Sequence, residues 1–410
     1  MNRVLDFDEA LAAVLLEAGS WCIPGKAETL PLLECLGRVL AEPVVADRDQ
    51  PPFDRSTRDG FAVRAEDVAS GKMLKVLGQV RAGEQWRGGR LREGETVEIM
   101  TGAPLADGAD AVAMLEHVDT EEGSIRLHAG RELHPGENVV ARGSEARAGD
   151  VLLPPGTTMD AAEIALAAAC GQPELKVFAR PRVAIVATGD ELVEIDQSPM
   201  LQEIRNSNSY GIASLVTEAG GSPERLEVAR DRKEEIQERV SRGRTRDLLI
   251  LSGGVSMGKY DLVEEVLTEF GAEFFFTGVK MQPGKPVVFG RLPARDGARE
   301  CYFFGLPGNP VSVQVTFHCF VAPMVRALAG AEIKGPRFAQ ATLTENVVSK
   351  AGLTRVLPAR LTAKRVRPEV RLVGWQGSGD LAANARANCY AVLPDGQGLA
   401  AGDVISVLLR

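Results

Sequence analysis

The sequence predicts a multidomain protein of the α/β plus β class. A central α/β domain with a mostly parallel sheet is expected, beside a helical N-terminal domain carrying a β-rich insertion and a small C-terminal β domain. Three observations carry this reading. At 410 residues the chain is too long for one ordinary hydrophobic core. Between residues 179 and 330, short apolar runs alternate with amphipathic segments. Glycine-rich, strand-like sequence fills 47–146 and returns after about 331.

The elements follow in order. In "DFDEALAAVLLEAG" (6–19), Phe7, Ala10, Leu11, Val14 and Leu15 share one face at helical spacing. Asp6 with Glu9 suits a capping box, and Gly19 suits the stop. The apolar face needs a partner, for which the helical stretch "TMDAAEIALAAACG" (158–171) is the candidate. Residues 1–46 together with 147–178 are therefore expected as one helical domain, and 47–146 as the inserted β-rich domain. From 179 to 330 the pattern reads strand "VAIVA", a helix near 208–219, strand "RLEVA", helix "KEEIQERVS", strand "LLIL" and helix "LVEEVLTEF". A helix over 310–328 closes this domain, with Pro310 early and Pro323 interrupting it. Residues 331–410 read as short strands and turns.

Composition narrows the function. No apolar run approaches the roughly 18–20 residues of a membrane helix, and the acidic start is unlike a signal peptide. A cytoplasmic protein without a membrane partner is expected. A formal net charge of −9 argues against broad nucleic-acid binding. The six cysteines (Cys22, Cys35, Cys170, Cys301, Cys319, Cys389) are scattered without a CxxC pair, so buried reduced thiols are expected rather than zinc ligands or disulfides.

Ligands of parallel α/β domains gather at the carboxyl ends of strands. There "DLLILSGGVSMGKYDLVEEVL" (247–267) places a glycine turn between strand and helix. Gly253 and Gly254 let backbone approach a ligand, Ser252 and Ser256 offer hydroxyls, and the helix start offers N–H groups to an anion. A plain tight turn would look the same. Glu191 in "TGDEL", Asp231 and Asp261 fall near the same sheet edge, where three carboxylates suit a hard cation such as Mg²⁺. Each also suits a helix cap or a solvated loop. Lys280 and Lys285, both in "KMQPGKPVVFG" (280–290), are candidate anion binders, and "FFGLPGNPVSV" is a second stiff loop.

Seven motifs then coincide in order: "PPFDRSTRDGFAV" (51–63), "TGAPLADGADAV" (101–112), "VATGDEL" (186–192), "SGGVSMGKYD" (252–261), "QPGKP" (282–286), "GLPGNPVS" (305–312) and "GSGDLAANARAN" (377–388). With them the chain resembles the molybdopterin molybdenumtransferases, the family of the bacterial MoeA proteins and the E domain of gephyrin. The resemblance implies that the α/β domain is of the molybdopterin-binding type. It implies insertion of molybdate into adenylylated molybdopterin, with Mg²⁺-dependent cleavage of the phosphoanhydride and release of AMP. It also implies a homodimer of four-domain subunits with its active site at the subunit interface, and makes the molybdopterin adenylyltransferase a candidate partner. Asp59, Thr101, Glu191, Asp231 and Asp261 match catalytic positions, the last three as metal ligands. Substrate contacts are implied at Ser252, Gly253, Gly254, Ser256, Gly258, Lys280, Pro283, Gly284, Lys285, Pro307, Gly308, Asn309 and Ser378.

The chain departs from the family pattern at Arg55, Thr57, Arg58 and Phe61 in the first motif, at Gln282 where lysine is frequent, and at Glu145 near an expected aspartate. Pro358 stands where arginine is usual, leaving Arg355 or Arg360 as substitutes. A non-catalytic molybdopterin-binding scaffold, or the same transferase serving tungstate, are the alternatives such drift raises.

Overall fold

The computed structural model describes residues 3–21, 26–254, 262–295, 297–348, 351–396 and 398–410. The chain divides into two compact units. One comprises Met1–Ala41, Gly156–Asp160 and Leu175–Arg410; the other comprises Glu42–Pro155 and Ala161–Glu174.

The first unit is built on a six-stranded sheet. Its four parallel strands are Ser222–Arg225, Arg182–Ala187, Leu248–Ser252 and Cys301–Leu306, in that spatial order, and Val288–Leu292 and Glu273–Phe276 extend it antiparallel. Strands covered by helices on both faces are apolar throughout; accordingly every residue of Leu248–Ser252 and Cys301–Leu306 is buried. The helices are Ser207–Glu218, Lys233–Gly243, Leu262–Glu269 and the long segment Pro310–Leu328. "RLEVA" mostly follows its strand instead of forming it. Its ladder continues irregularly, with Leu226 N–H donating to Ile185 and Ala229 N–H to Ala187.

Pro310–Leu328 corrects the expectation that nothing approaches membrane length. By length and composition it could span a bilayer, yet 78% of its most apolar window is buried inside the fold. A helix apolar all round is a core helix when protein surrounds it. Its middle, Phe317–Val321, is a π-helical turn in which Ala322 N–H reaches Phe317 O. Pro323, lacking an N–H, leaves the carbonyl four residues back without its α-helical donor, which accounts for the irregularity.

The N-terminal helix, Phe7–Trp21, runs past Gly19. It packs on the 317–328 segment, with the Phe7 and Phe320 rings 5.7 Å apart, and Glu17 accepts a 2.9 Å hydrogen bond from the Tyr302 hydroxyl. Val4–Leu5 adds a parallel pairing with Gly278–Val279. The apolar face read from sequence is real; its partner is the α/β core.

Residues beyond Phe338 form a curled sheet. Phe338–Leu343, Thr354–Thr362, Glu369–Leu372, Cys389–Leu393 and Val404–Leu409 pair so that Cys389–Leu393 bonds both Val404–Leu409 and Thr354–Thr362, closing a small barrel. The second unit carries its own six-stranded sheet, ordered Ala111–Met114, Gly60–Val63, Glu95–Ile99, Leu74–Val80, Ser124–Leu127, Val118–Glu121. Apolar clusters line both of its faces. Cys35, Cys170, Cys301, Cys319 and Cys389 are free and buried, and burial pushes the Cys301 thiol up to about 12.

Candidate functional site

Parallel pairing aligns the carboxyl ends of Arg182–Ala187, Leu248–Ser252 and Cys301–Leu306, so the loops that follow must meet. Thr188 N–H donates to Ser252 O at 2.9 Å and Gly253 N–H to Leu306 O at 3.2 Å. Asn208, in the first turn of Ser207–Glu218, spans two loops. Its Nδ2 donates to Ser252 Oγ at 3.2 Å and to Gly308 O at 2.8 Å. Beyond Gly308, Val311 N–H donates to Ser378 O at 2.9 Å, bringing in the "GSGD" loop. Gly284 of "QPGKP" lies against the same helix, since a Cβ there would sit 2.5 Å from Thr316 Cγ2. Five of the seven motifs thus form one connected set of loops within the first unit.

The glycine turn owes its composition to this crowding. Gly253 and Gly254 have φ of +93° and +64°, and added Cβ atoms would meet Thr188 O at 2.4 Å and Thr188 Oγ1 at 2.7 Å. Close approach by the neighbouring loop, and not only by a ligand, demands glycine here. Thr188 Oγ1 is buried with no hydrogen-bond partner among the described residues. Ser256, Gly258 and Asp261 lie outside the described residues.

Beside the turn is a cluster of carboxylates, Asp190, Glu191 and Asp231. Asp231 does not cap the helix Lys233–Gly243, whose cap is Arg232 without a side-chain bond. Instead Asp231 N–H donates to Asp190 Oδ1 at 3.2 Å. Burial, followed by the charges of Asp190 and Glu191, pushes the Asp231 carboxyl above its ordinary range. Glu191 folds back over its own loop: a Cβ on Gly189 would lie 2.5 Å from Glu191 Oε2. Arg230 fixes the loop by donating to Asp190 O at 2.6 Å and Leu192 O at 3.2 Å. Among the described residues, no three carboxylate, histidine or cysteine side chains form a ready-made metal cage. Glu191 and Asp231 are a pair that repel one another and would gain from a cation completed by phosphate oxygens.

The cations differ from each other. Lys280 is held by Asp6 at 3.0 Å, which also raises its proton affinity. Lys285 is exposed and has no side-chain partner among the described residues. Pro283 and Pro307 are buried, while Gly308 and Asn309 are exposed; Asn309 precedes the helix without a side-chain cap bond. Gln282 pairs in register with Arg355. Gln282 Oε1 and Arg355 Nε are both buried without hydrogen-bond partners among the described residues. Pro358 is buried opposite Tyr390, whereas Arg360 is exposed.

Asp59 and Thr101 belong to the second unit and are bonded to each other. Asp59 Oδ1 accepts from Thr101 N–H at 2.7 Å and from Thr101 Oγ1 at 2.9 Å, and these bonds hold its carboxyl below the usual range. In the same unit Arg55 pairs with Glu145 at 2.8 Å, so two departures from the family pattern satisfy each other. Sequence reasoning passed over Thr188, Gly189, Asp190 and Asn208. The first three lay inside a quoted motif; Asn208 gave no signal beyond its place at a helix start.

The chain is similar to known proteins along most of its length. Family models match residues 5–171 as the MoeA N-terminal region (domains I and II), 184–327 as a probable molybdopterin binding domain, and 340–409 as the MoeA C-terminal region (domain IV). A molybdopterin molybdenumtransferase of Nostoc sp. is 36% identical over 379 residues, covering 90% of this chain and 85% of the relative. One of Staphylococcus epidermidis is 34% identical, covering 92% and 89%. A molybdopterin biosynthesis MoeA protein from Pyrococcus horikoshii superposes with a TM-score of 0.73 at 32% identity, over 99% of each chain.

Proposed function

The chain belongs to the MoeA family of molybdopterin molybdenumtransferases, and from that premise we propose that its substrates are adenylylated molybdopterin and molybdate. It is a transferase of molybdenum cofactor biosynthesis. In the proposed reaction molybdate enters the dithiolene of the pterin, the phosphoanhydride is cleaved and AMP leaves. The observation that carries this is the carboxylate pair Glu191 and Asp231 beside the glycine turn, with the Asp231 charge disfavoured by burial and by its neighbours.

Mg²⁺ would be held there by Glu191 and Asp231, with Asp261 as the third expected ligand; when bound it supplies charge neutralisation to a phosphoanhydride under cleavage. The protein's own part is positioning. Ser252, Gly253, Gly254 and Gly308 would line the pterin phosphate, with the Thr188 hydroxyl as a ready donor. Lys285 is the better candidate for anion attraction, because Lys280 already has a carboxylate. Pro283, Gly284, Pro307 and Asn309 would hold the loops stiff around the ligand, and Ser378 would face the oxyanion. Asp59 and Thr101 would act as one hydrogen-bonded pair. A homodimer with its active site at the subunit interface, a cytoplasmic location consistent with five buried free thiols, and docking of the adenylylating enzyme belong to the same reading.

The test is AMP release from adenylylated molybdopterin with Mg²⁺, titrating molybdate or tungstate. Oxyanion-dependent release establishes the transferase reaction, and the half-saturating concentrations identify the metal. Tight pterin binding without release under either oxyanion would overturn the proposal in favour of a scaffold.

A further inference from the structure

A cavity of about 170 Å³ opens in the first unit, lined by no residue of the seven motifs. It lies where two helices end, with Glu218 and Ala219 closing Ser207–Glu218 and Arg326 in the last turn of Pro310–Leu328. The facing wall carries Val39, Phe178 and Arg180. That wall is tied down by the fold itself. Phe178 N–H donates to Val39 O at 2.8 Å, and Arg38 Nη2 donates to Phe178 O at 2.8 Å while pairing with Glu28. Gly330 backs the ring from the helix side: at φ of +86°, an added Cβ would lie 2.2 Å from Phe178 Cδ2. Arg180 and Arg326 are the cavity's uncommitted cations. Both are half-buried, and neither makes an ion pair or a side-chain hydrogen bond among the described residues.

A cation in the last turn of a helix suits its dipole, which favours Arg326 there but gives no reason for Arg180. Burial opposes the Arg326 charge, and the neighbouring charge that acts on it is another cation, Arg337, so its proton affinity is lowered. A guanidinium placed so gains from an anion that can accept its fork of N–H groups. Glu218, at the exposed rim, pairs with neither arginine within 4.0 Å among the described residues. Arg38 and Glu28 cancel, which leaves Arg180 and Arg326 against Glu218, two positive charges and one negative, a net of +1. That balance suits a monoanion better than a dianion. Val39, Phe178 and Ala219 give the cavity apolar walls, which an inorganic ion would leave without contacts. Its volume is below the roughly 300 Å³ at which drug-sized pockets begin, so the ligand has few heavy atoms. We propose that this cavity binds a small organic monocarboxylate, with the carboxylate on Arg180 and Arg326 and the carbon skeleton against Phe178 and Val39.

The experiment is a saturation-transfer NMR titration of the full chain with propionate, propionamide and inorganic phosphate, for wild type, Arg180→Gln, Arg326→Gln and Ala331→Leu. Propionate should bind wild type with an affinity that falls as salt rises. It should bind roughly tenfold or more tightly than propionamide, which has the same shape without the charge, and more tightly than phosphate. Each glutamine variant should weaken propionate by roughly tenfold or more, the loss of one charge-assisted contact. Ala331→Leu keeps every charge and fills the half-buried rim of the cavity, so it should weaken propionate as well; it decides the matter if a glutamine variant fails to fold. Propionate should also raise the melting temperature of wild type and leave that of Ala331→Leu where it was. No binding at millimolar propionate, phosphate or propionamide binding as tightly as propionate, or unchanged affinity in the folded variants would each overturn the proposal.

Discussion

Gly189→Ala isolates the role of Glu191 without altering any charge. At φ of +149°, Gly189 has a backbone conformation that L side chains rarely adopt. A Cβ there would lie 2.5 Å from Glu191 Oε2 and 2.9 Å from Glu191 Cδ. An ordinary contact needs ~3.4 Å, so the carboxylate must withdraw by ~0.9 Å. Because the obstructing atoms end a flexible side chain, the clash itself costs little stability. The backbone conformation costs about 1–3 kcal/mol, which lowers the melting temperature by a few degrees in a domain of this size. Catalysis is less forgiving: a displacement near 1 Å costs roughly 10²-fold, so kcat/KM for AMP release should fall by about that factor. Glu191→Gln added to Gly189→Ala should then cost much less than Glu191→Gln in the wild type, since the two changes disable one interaction. If Gly189→Ala keeps turnover within threefold of wild type while melting lower, the carboxylate has no positional role and the reading of Glu191 is wrong.

Asp231→Asn should stop Mg²⁺-dependent AMP release and yet raise the melting temperature at neutral pH. The folded-state affinity of Asp231 for its proton is raised, so ionisation destabilises the fold as pH rises through that shifted range; the asparagine removes the penalty. A parallel fall in stability and activity would count against this. Thr101→Val removes one of two bonds to Asp59, so an NMR titration should find the Asp59 carboxyl closer to its ordinary range. Stability from that depressed carboxyl is present above its unfolded pKa and lost as pH falls through the folded one, so acid unfolding should begin at higher pH in the variant. Asn208→Ala unties the glycine turn from Gly308 and should cost about 1–2 kcal/mol with a raised KM for the pterin; unchanged KM would make the tie purely structural. Lys285→Ala should raise KM more than Lys280→Ala, because Asp6 already neutralises Lys280; the reverse order would reassign the cation.

The alternation of strand and helix over 179–330 was legible because strands buried on both faces are apolar throughout, and two strands and four helices fell within a few residues of their readings. Partnership was not legible. Helical periodicity shows that Phe7–Trp21 has an apolar face, but carries nothing about which surface covers it, and the cover is Phe320 and its neighbours. Helix Pro310–Leu328 was legible at its full length, but Gln314, His318 and Arg326 break its apolar run, so its membrane-like composition was not. In the candidate site, motif matching found the loops, while Asn208 and Thr188 became visible only once parallel strands had brought residues 65 (Thr188 and Gly253) and 100 (Asn208 and Gly308) positions apart into contact. Arg55 and Glu145 looked like independent substitutions because 90 residues separate them; in space they are one ion pair.

The discontinuity of the first unit fixes an order of events during synthesis. Its segments span Met1–Ala41, Gly156–Asp160 and Leu175–Arg410, whereas most of the second unit is the uninterrupted stretch Glu42–Pro155. As the chain leaves the ribosome, the inserted unit gains a nearly complete sheet while Phe7–Trp21 still lacks the Phe317–Val321 surface that buries it. The first helix therefore spends the translation of some 300 residues with its apolar face uncovered. The barrel closes only when Val404–Leu409 slots between Phe338–Leu343 and Cys389–Leu393. Nascent chains stalled before that point should present the greatest demand on chaperones.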